Sequence, residues 1–249
     1  MKTILIANRK GGVGKTTTAL NLATALSLHK KVLLIDLDTQ SHLQYGFGIK
    51  KGVKRGIHKA LIHGQIEEII IPSGYENLSL APADINFDIS SIPSKKNRLK
   101  RILRSVSKDY DICIIDTPPT SDILLNNALI ASNYVIVPMQ TEYLGLVGVV
   151  QFLKMFYKTA SELNTKFKLL GVVPTLYNKS IEEHTKIIDK LKNTIGENRV
   201  LEPIRKDFEL SRAFIAGKPI LYYKKRSRGS KDYIHLANTI LNRIKERGE

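Results

Sequence analysis

The run Gly11-Gly12-Val13-Gly14-Lys15-Thr16-Thr17 constrains this chain more than any other stretch. It follows the apolar segment Thr3 to Ala7, comes directly after Asn8-Arg9-Lys10, and opens a strongly helix-forming stretch from Lys15 to Leu28. Glycines let successive backbone N–H groups turn inward, and a helix starting at once adds the positive end of its dipole. The result is an anion cradle. Lys15 would reach the β- and γ-phosphates of a nucleotide, and the Thr16 hydroxyl would serve Mg²⁺. Gly11, Gly12, Val13, Gly14, Lys15, Thr16 and Thr17 are the expected triphosphate-binding residues.

Short apolar runs and helical stretches alternate along the rest of the chain. Buried-strand candidates are Thr3 to Ala7, Lys31 to Leu37, Leu78 to Ala81, Ile112 to Ile115, Tyr134 to Pro138 and Leu169 to Pro174. Further helices are expected over Asn97 to Val106, Leu124 to Ala131, Leu146 to Leu163, Ile181 to Thr194 and Tyr233 to Glu246. This order predicts βαβ units and a three-layer, doubly wound α/β fold, a mainly parallel sheet flanked by helices. Functional loops then lie at the C-terminal ends of the strands. No internal repeat, low-complexity segment or Pro/Gly linker divides the chain, so residues 1–249 are expected to form a single domain.

Two of these strands end in carboxylates. Val32-Leu33-Leu34-Ile35 runs into Asp36-Leu37-Asp38, and Ile112-Cys113-Ile114-Ile115 runs into Asp116-Thr117-Pro118-Pro119. A carboxylate at the end of a buried strand is costly unless it faces a cation or strong donors, so each is better explained by Mg²⁺ or a water than by packing.

Composition narrows the setting. Hydrophobic residues at 43% and charged residues at 25% exclude a disordered or fibrous chain. No run reaches the roughly 18 apolar residues of a membrane span, and the N-terminal apolar stretch is too short for a secretory signal. One cysteine, Cys113, excludes an internal disulfide and a four-cysteine metal site, fits a reducing cytoplasm, and reads as a small buried hydrophobe. The 39 Lys and Arg outnumber the 23 Asp and Glu, giving +16, which points to an anionic partner, nucleic acid or an anionic membrane, unless the excess is a compositional bias.

Lys10-Gly11-Gly12-Val13-Gly14-Lys15-Thr16 resembles the deviant Walker A signature of the ParA/MinD family of ATPases. Asp36-Leu37-Asp38 resembles its second motif and Ile115-Asp116-Thr117-Pro118-Pro119 its Walker B segment; the similarity continues through Ala128 to Glu142 and Gly217-Lys218-Pro219, nearly the whole chain. The resemblance implies a P-loop ATPase that binds ATP with Mg²⁺. Lys10 then corresponds to the signature lysine that crosses a dimer interface to the partner's phosphates. A cation arriving in trans neutralises charge on the transferring phosphoryl group. The implied catalytic set is Lys10, Lys15 and Asp38, with Asp38 positioning the attacking water. Thr16, Asp38 and Asp116 form the implied metal set, Asp36 supports them, and Tyr177, Asn178 and Pro203 are expected at the base. Where the family usually continues Asp-Pro-Gln-x-Asn, this chain reads Asp38-Thr39-Gln40-Ser41-His42, and His42 reads as a loop residue rather than a base.

The branches of the family differ in chemistry. Iron–sulfur relatives need two cysteines per chain, which Cys113 alone does not supply. A MinD-type protein would end in a basic, strongly apolar membrane helix. Here Tyr233, Leu236, Ala237, Ile240, Leu241 and Ile244 have the spacing of a helix packed on a core, with Glu246 and Glu249 at its tip, and no membrane partner is expected. From Arg205 to Lys231 there are nine basic residues and two acidic ones. In ParA/Soj proteins the corresponding region forms part of a non-specific DNA surface, so Lys206, Arg212, Lys224, Lys225, Arg226 and Arg228 are the expected DNA contacts. The run 224–228 reads as a phosphate-contacting loop, with Ser227, Gly229 and Ser230 allowing close approach. Glu209 stands where the family commonly has a basic residue, and Arg212 where it commonly has an acidic one. The clusters Lys50 to Lys59 and Lys95 to Arg104 either extend this surface or are solvated faces.

The chain starts at its first strand, so no N-terminal helix-turn-helix domain and no sequence-specific DNA reading are expected. The implied function is that of a ParA/Soj-type partition ATPase, cytoplasmic and nucleoid-associated. An ATP-bound homodimer would coat double-stranded DNA, and a ParB-like, centromere-binding or cargo-adaptor partner would stimulate slow hydrolysis to release it. Three alternatives stay open: positioning of a protein cargo over the nucleoid, a MinD/FlhG-like membrane-cycling regulator, and a metabolic enzyme of the dethiobiotin-synthetase or cobyrinate-amidating type.

Overall fold

Continuous apolar runs such as Val32 to Ile35 have no polar face, so they belong in strands covered on both sides. The computed structural model, which describes residues 1–49, 53, 55–119, 122–163 and 167–246, places these strands in one sheet. Its strands are β1 (Lys2–Ile6), β2 (Val32–Asp36), β3 (Ile71–Tyr75), β4 (Leu78–Ala81), β5 (Ile112–Asp116), β6 (Tyr134–Gln140) and β7 (Lys168–Thr175), in the spatial order β3-β4-β2-β5-β1-β6-β7. Every neighbouring pair is parallel except β3 with β4. The helices are α1 (Lys15–Leu26), α2 (His42–Gly46), α3 (Ile57–His63), α4 (Arg98–Leu103), α5 (Asp122–Ala131), α6 (Tyr143–Glu162), α7 (Glu182–Ile195), α8 (Phe208–Ile215), α9 (Ile220–Tyr223) and α10 (Arg228–Glu246).

Alternate strand residues feed two cores. Ile4, Ile6, Leu34, Ile114 and Ile136 pack with Leu22 and Leu26 of α1 and Leu236 and Ile240 of α10. Leu5, Leu33, Ile35, Cys113 and Val135 face the other way, onto Leu99 of α4, Leu124 of α5 and Phe156 of α6. The doubly wound, three-layer α/β architecture expected from the alternation is the one observed, and Cys113 is a buried packing residue. β1 lies between β5 and β6, so the loop leaving it opens at the C-terminal edge of the sheet centre.

The differences from expectation are local. The antiparallel edge strand β3 was not expected, because Ile71-Pro72-Ser73-Gly74-Tyr75 carries two strand breakers; an edge tolerates proline's missing N–H, and the pairing is irregular between Pro72 and Tyr75. The short helices α2, α3, α8 and α9 have too few residues to display a 3.6-residue period. α10 begins at Arg228, five residues before the expected Tyr233. Lys50, Lys51, Lys54 and Glu249 lie outside the described residues.

α10 is tied to α1, where the Thr18 and Tyr233 hydroxyls meet at 3.3 Å, and Asn21 accepts a bond of 2.9 Å from the Ile220 N–H at the start of α9. The loops after α2 and α8 also touch. Gly217 has φ +64°, and a Cβ there would lie 2.5 Å from Gly48 Cα. Gly217→Ala should therefore lower unfolding free energy by at least ~1–2 kcal/mol, read from the denaturant midpoint.

Candidate functional site

The loop between β1 and α1 is held by its neighbours. Asn8 donates from Nδ2 to the Pro138 carbonyl on β6 (2.8 Å) and accepts the Lys10 N–H on Oδ1 (3.0 Å). Thr175, ending β7, donates from Oγ1 to the Val13 carbonyl (2.9 Å), and Thr117 donates to the Ile6 carbonyl (3.0 Å). Gly12 and Gly14 take φ values of +72° and +88°, which suit glycine, and a Cβ on Gly11 or Gly12 would meet nothing within 4 Å. The loop thus surrounds open space at the N-terminus of α1, where amide groups and the helix dipole favour an anion.

The two lysines of the loop differ. Lys15 is buried and donates from Nζ to the Lys10 carbonyl at 3.1 Å. Burial holds its ammonium below the ordinary value, while Asp116 and Asp38 draw it back up. The half-buried Lys10 ammonium forms no hydrogen bond or ion pair among the described residues.

Parallel register sets Asp36 of β2 opposite Asp116 of β5, and both side chains are fully buried. Asp36 spends its oxygens locally, accepting the Asp38 N–H (3.0 Å) and the Leu43 N–H (3.2 Å). Neither oxygen of Asp116 has a hydrogen-bond partner. Burial pushes both carboxyls well above the usual range. Asp116 adds to the rise at Asp36, while the Thr16 hydroxyl and Lys15 partly offset it at Asp116. A buried, unsatisfied carboxylate beside the Thr16 hydroxyl and the open loop fits a hard dication with oxygen ligands. Asp38 is half-buried beyond β2, and its Oδ1 accepts the Gln40 N–H (3.0 Å).

A cavity of about 490 Å³ continues from Thr16 and Thr17, lined by Leu176, Ile204, Leu210 and Phe214 and reached by His42. Its walls are chiefly apolar. Tyr177 and Asn178 line instead an adjoining cavity of about 820 Å³ shared with Lys206 and Arg228, and Pro203 lines neither. Tyr177 exchanges backbone bonds with Ile204 and Lys206 (3.1 and 2.7 Å). Leu176, in the left-handed backbone region at φ 55°, lines the first cavity with Thr175, Ile204 and Arg205, and Tyr177 does not. The apolar residues of α8 were missed because only their packing on α2 brings them to the loop.

The basic region differs from its sequence reading. The run 224–228 is not one loop with small residues open to phosphates: Arg228 starts α10, Ser230 is fully buried, and a Cβ on Gly229 would come within 2.9 Å of Leu210. Leu210 of α8 packs against Gly229 and leaves little room for a side chain there. Arg212 and Lys224 both pair with Glu209, at 2.9 and 3.0 Å. Arg205 grips Asp232, and Lys206 lies 5.4 Å from the Phe208 ring centroid. Lys225, Arg226 and Arg228 are exposed. In the cluster Lys95 to Arg104, Arg98 donates to the Leu61 and Ile62 carbonyls ending α3.

A protein-family model described as an AAA domain matches residues 1–169. The sporulation initiation inhibitor protein Soj of Bacillus subtilis is 37% identical over 96% of this chain and 98% of its own length. The chain belongs to the ParA/Soj family of P-loop ATPases. Among solved structures, a plasmid partition protein of Borrelia burgdorferi bound to AMPPNP is 32% identical, with a TM-score of 0.83 over 97% of this chain and 99% of that one. Cobyrinic acid a,c-diamide synthase of Mycobacterium smegmatis, with bound ADP and magnesium, is 28% identical, with a TM-score of 0.81 over 98% and 95%. No helix among the described residues is long and apolar enough to cross a membrane.

For this family member the orphaned Asp116 has a measurable sign. The native state keeps a proton on Asp116 above 3.8, where an unfolded aspartate loses it. The native state then binds more protons, so metal-free stability falls as pH rises above that value. In magnesium-free buffer, the melting temperature of Asp116→Asn relative to the native chain should climb between about pH 4 and about pH 8.

Proposed function

We propose that this chain is a nucleotide-driven DNA-partition switch. Gly11, Gly12, Val13, Gly14, Lys15, Thr16 and Thr17 hold the triphosphate, and Thr16, Asp38 and Asp116 hold Mg²⁺ directly or through water. Magnesium supplies charge neutralisation at the β- and γ-phosphates. Lys15 binds those phosphates, and Asp38 orients the attacking water. Lys10 acts in trans on the phosphates of a second copy of the chain, so ATP joins a sandwich homodimer.

The observation that carries this reading is the contrast between the two lysines. Lys15 already bends back into its own loop, whereas the Lys10 ammonium has no partner among the described residues. A second loop lysine without an intramolecular task suits a phosphate that arrives from another subunit.

In the ATP-bound dimer, Lys225, Arg226, Arg228 and Lys206 form a non-specific surface for double-stranded DNA. A ParB-like, centromere-binding or cargo-adaptor partner stimulates otherwise slow hydrolysis and releases the DNA. The net charge of +16 supports an anionic partner, and the relatives named for chromosome partitioning support a replicon as cargo. The likeness to cobyrinic acid a,c-diamide synthase favours a metabolic reading instead. That reading predicts turnover that rises with a small carboxylate acceptor and is indifferent to DNA.

Binding to arbitrary duplex DNA should require ATP rather than ADP and weaken with salt at a log–log slope of about −0.9 per phosphate contacted. Reversing the charge of Lys225 and Arg226 should flatten that slope by about 2; nucleotide-independent binding would count against the switch. Lys10→Ala should leave ATP affinity within about twofold yet elute as a monomer with ATP, and a persisting ATP dimer would exclude the trans role.

A further inference from the structure

His58, on α3, has no exposed surface and stands between the loop carrying Asp38 and the segment that follows β4. Its ring stacks on Phe87, with centroids 5.1 Å apart and planes inclined by 20°. The Asp84 N–H donates to His58 Nδ1 at 3.1 Å. A nitrogen that accepts carries no proton, so in the neutral ring the proton is on Nε2. Nε2 lies 3.2 Å from the Leu37 carbonyl and donates to it.

That carbonyl belongs to the peptide joining Leu37 to Asp38. The N–H of the same peptide donates to Asp36 Oδ1 at 3.0 Å, and the preceding N–H, on Leu37, donates to the Asp116 carbonyl at 3.0 Å. The peptide plane that aims Asp38 is therefore fixed at both ends, by Asp36 on one side and His58 on the other. His58 is itself held. Asp84 accepts the Gly56 and Lys59 N–H groups at 2.8 and 3.0 Å and so anchors the start of α3, and the Gln44 side chain reaches the Ala83 carbonyl at 3.1 Å.

We propose that His58 is a positioning residue for Asp38, holding the Leu37–Asp38 peptide from behind through its Nε2–H. The proposal rests on the reading of Asp38 as the residue that orients the attacking water. A displacement of ~1 Å at such a residue costs up to ~10²-fold in rate, which gives a contact behind the chemistry its leverage. The imidazole lines neither of the two cavities beside the loop.

Two substitutions separate the ends of the ring. His58→Asn keeps a polar atom near Nδ1, to satisfy Asp84, but is too short to reach Leu37. His58→Gln places a donor near Nε2. With magnesium and ATP, His58→Asn should lose turnover on the order of tenfold while ATP affinity stays within about twofold, and His58→Gln should keep turnover within about threefold. In an Asp38→Ala background, His58→Asn should cause no further loss. If His58→Asn does not fold, as judged by ATP binding and melting temperature, His58→Met, which fills the space without a donor, replaces it with the same expectation.

Native turnover in the donor-lacking variant, equal losses in His58→Asn and His58→Gln, or a full additional loss on the Asp38→Ala background would overturn the proposal. Native turnover in Asp38→Ala alone would overturn the reading of Asp38, and this proposal with it.

Discussion

Two carboxylates are buried side by side where β2 and β5 end, and the rest of the site is organised around the cost of keeping them there. They are treated unequally. Asp36 is satisfied by the Asp38 and Leu43 N–H groups and shapes the loop. Asp116 is left with unsatisfied oxygens facing Thr16 and Lys15. Only a rigid central sheet holds such a group against its preference for water. A buried carboxyl without a hydrogen-bond partner is unmet demand for a cation, which suits the site to a hard dication.

Rigidity reaches the phosphate loop from several directions. Thr117, Asn8 and Thr175 tie it to strand ends, so its open amides are preorganised rather than assembled by the ligand. The cavity beyond is built differently, from α8 and the chain around Ile204, returning from the far end of the sequence. It is anchored to α1 through Tyr233 on Thr18 and Ile220 on Asn21. The glycine loop and the cavity thereby share one helix, although nearly 200 residues separate Asn21 from Ile220.

The central strands and the glycine loop were legible in the sequence because their signals are local: unbroken Ile/Val/Leu runs, left-handed glycines and carboxylates at strand ends. The cavity beside the loop was not. Leu176 and Tyr177 are adjacent, and which of them faces the cavity depends on pairing with residues 204–206, a long-range register no local pattern encodes. The fate of Gly229 was hidden for the same reason: a small residue beside cations suits a phosphate loop or a tight helix contact equally well, and Leu210 decides between them. His58 carried no motif, since its role comes from two backbone groups, on Leu37 and Asp84, more than 20 residues away on either side.

The shared carboxylate of Glu209 alters how the charge of this chain should be counted. Because Arg212 and Lys224 converge on it, one acidic residue mutes two cations, and the field of that face is set by a subtraction rather than by its tally of lysines and arginines. A surface built in this way is graded by one position. Changing Glu209 alone would release two cations at once, with the basic residues and the helices that present them left in place.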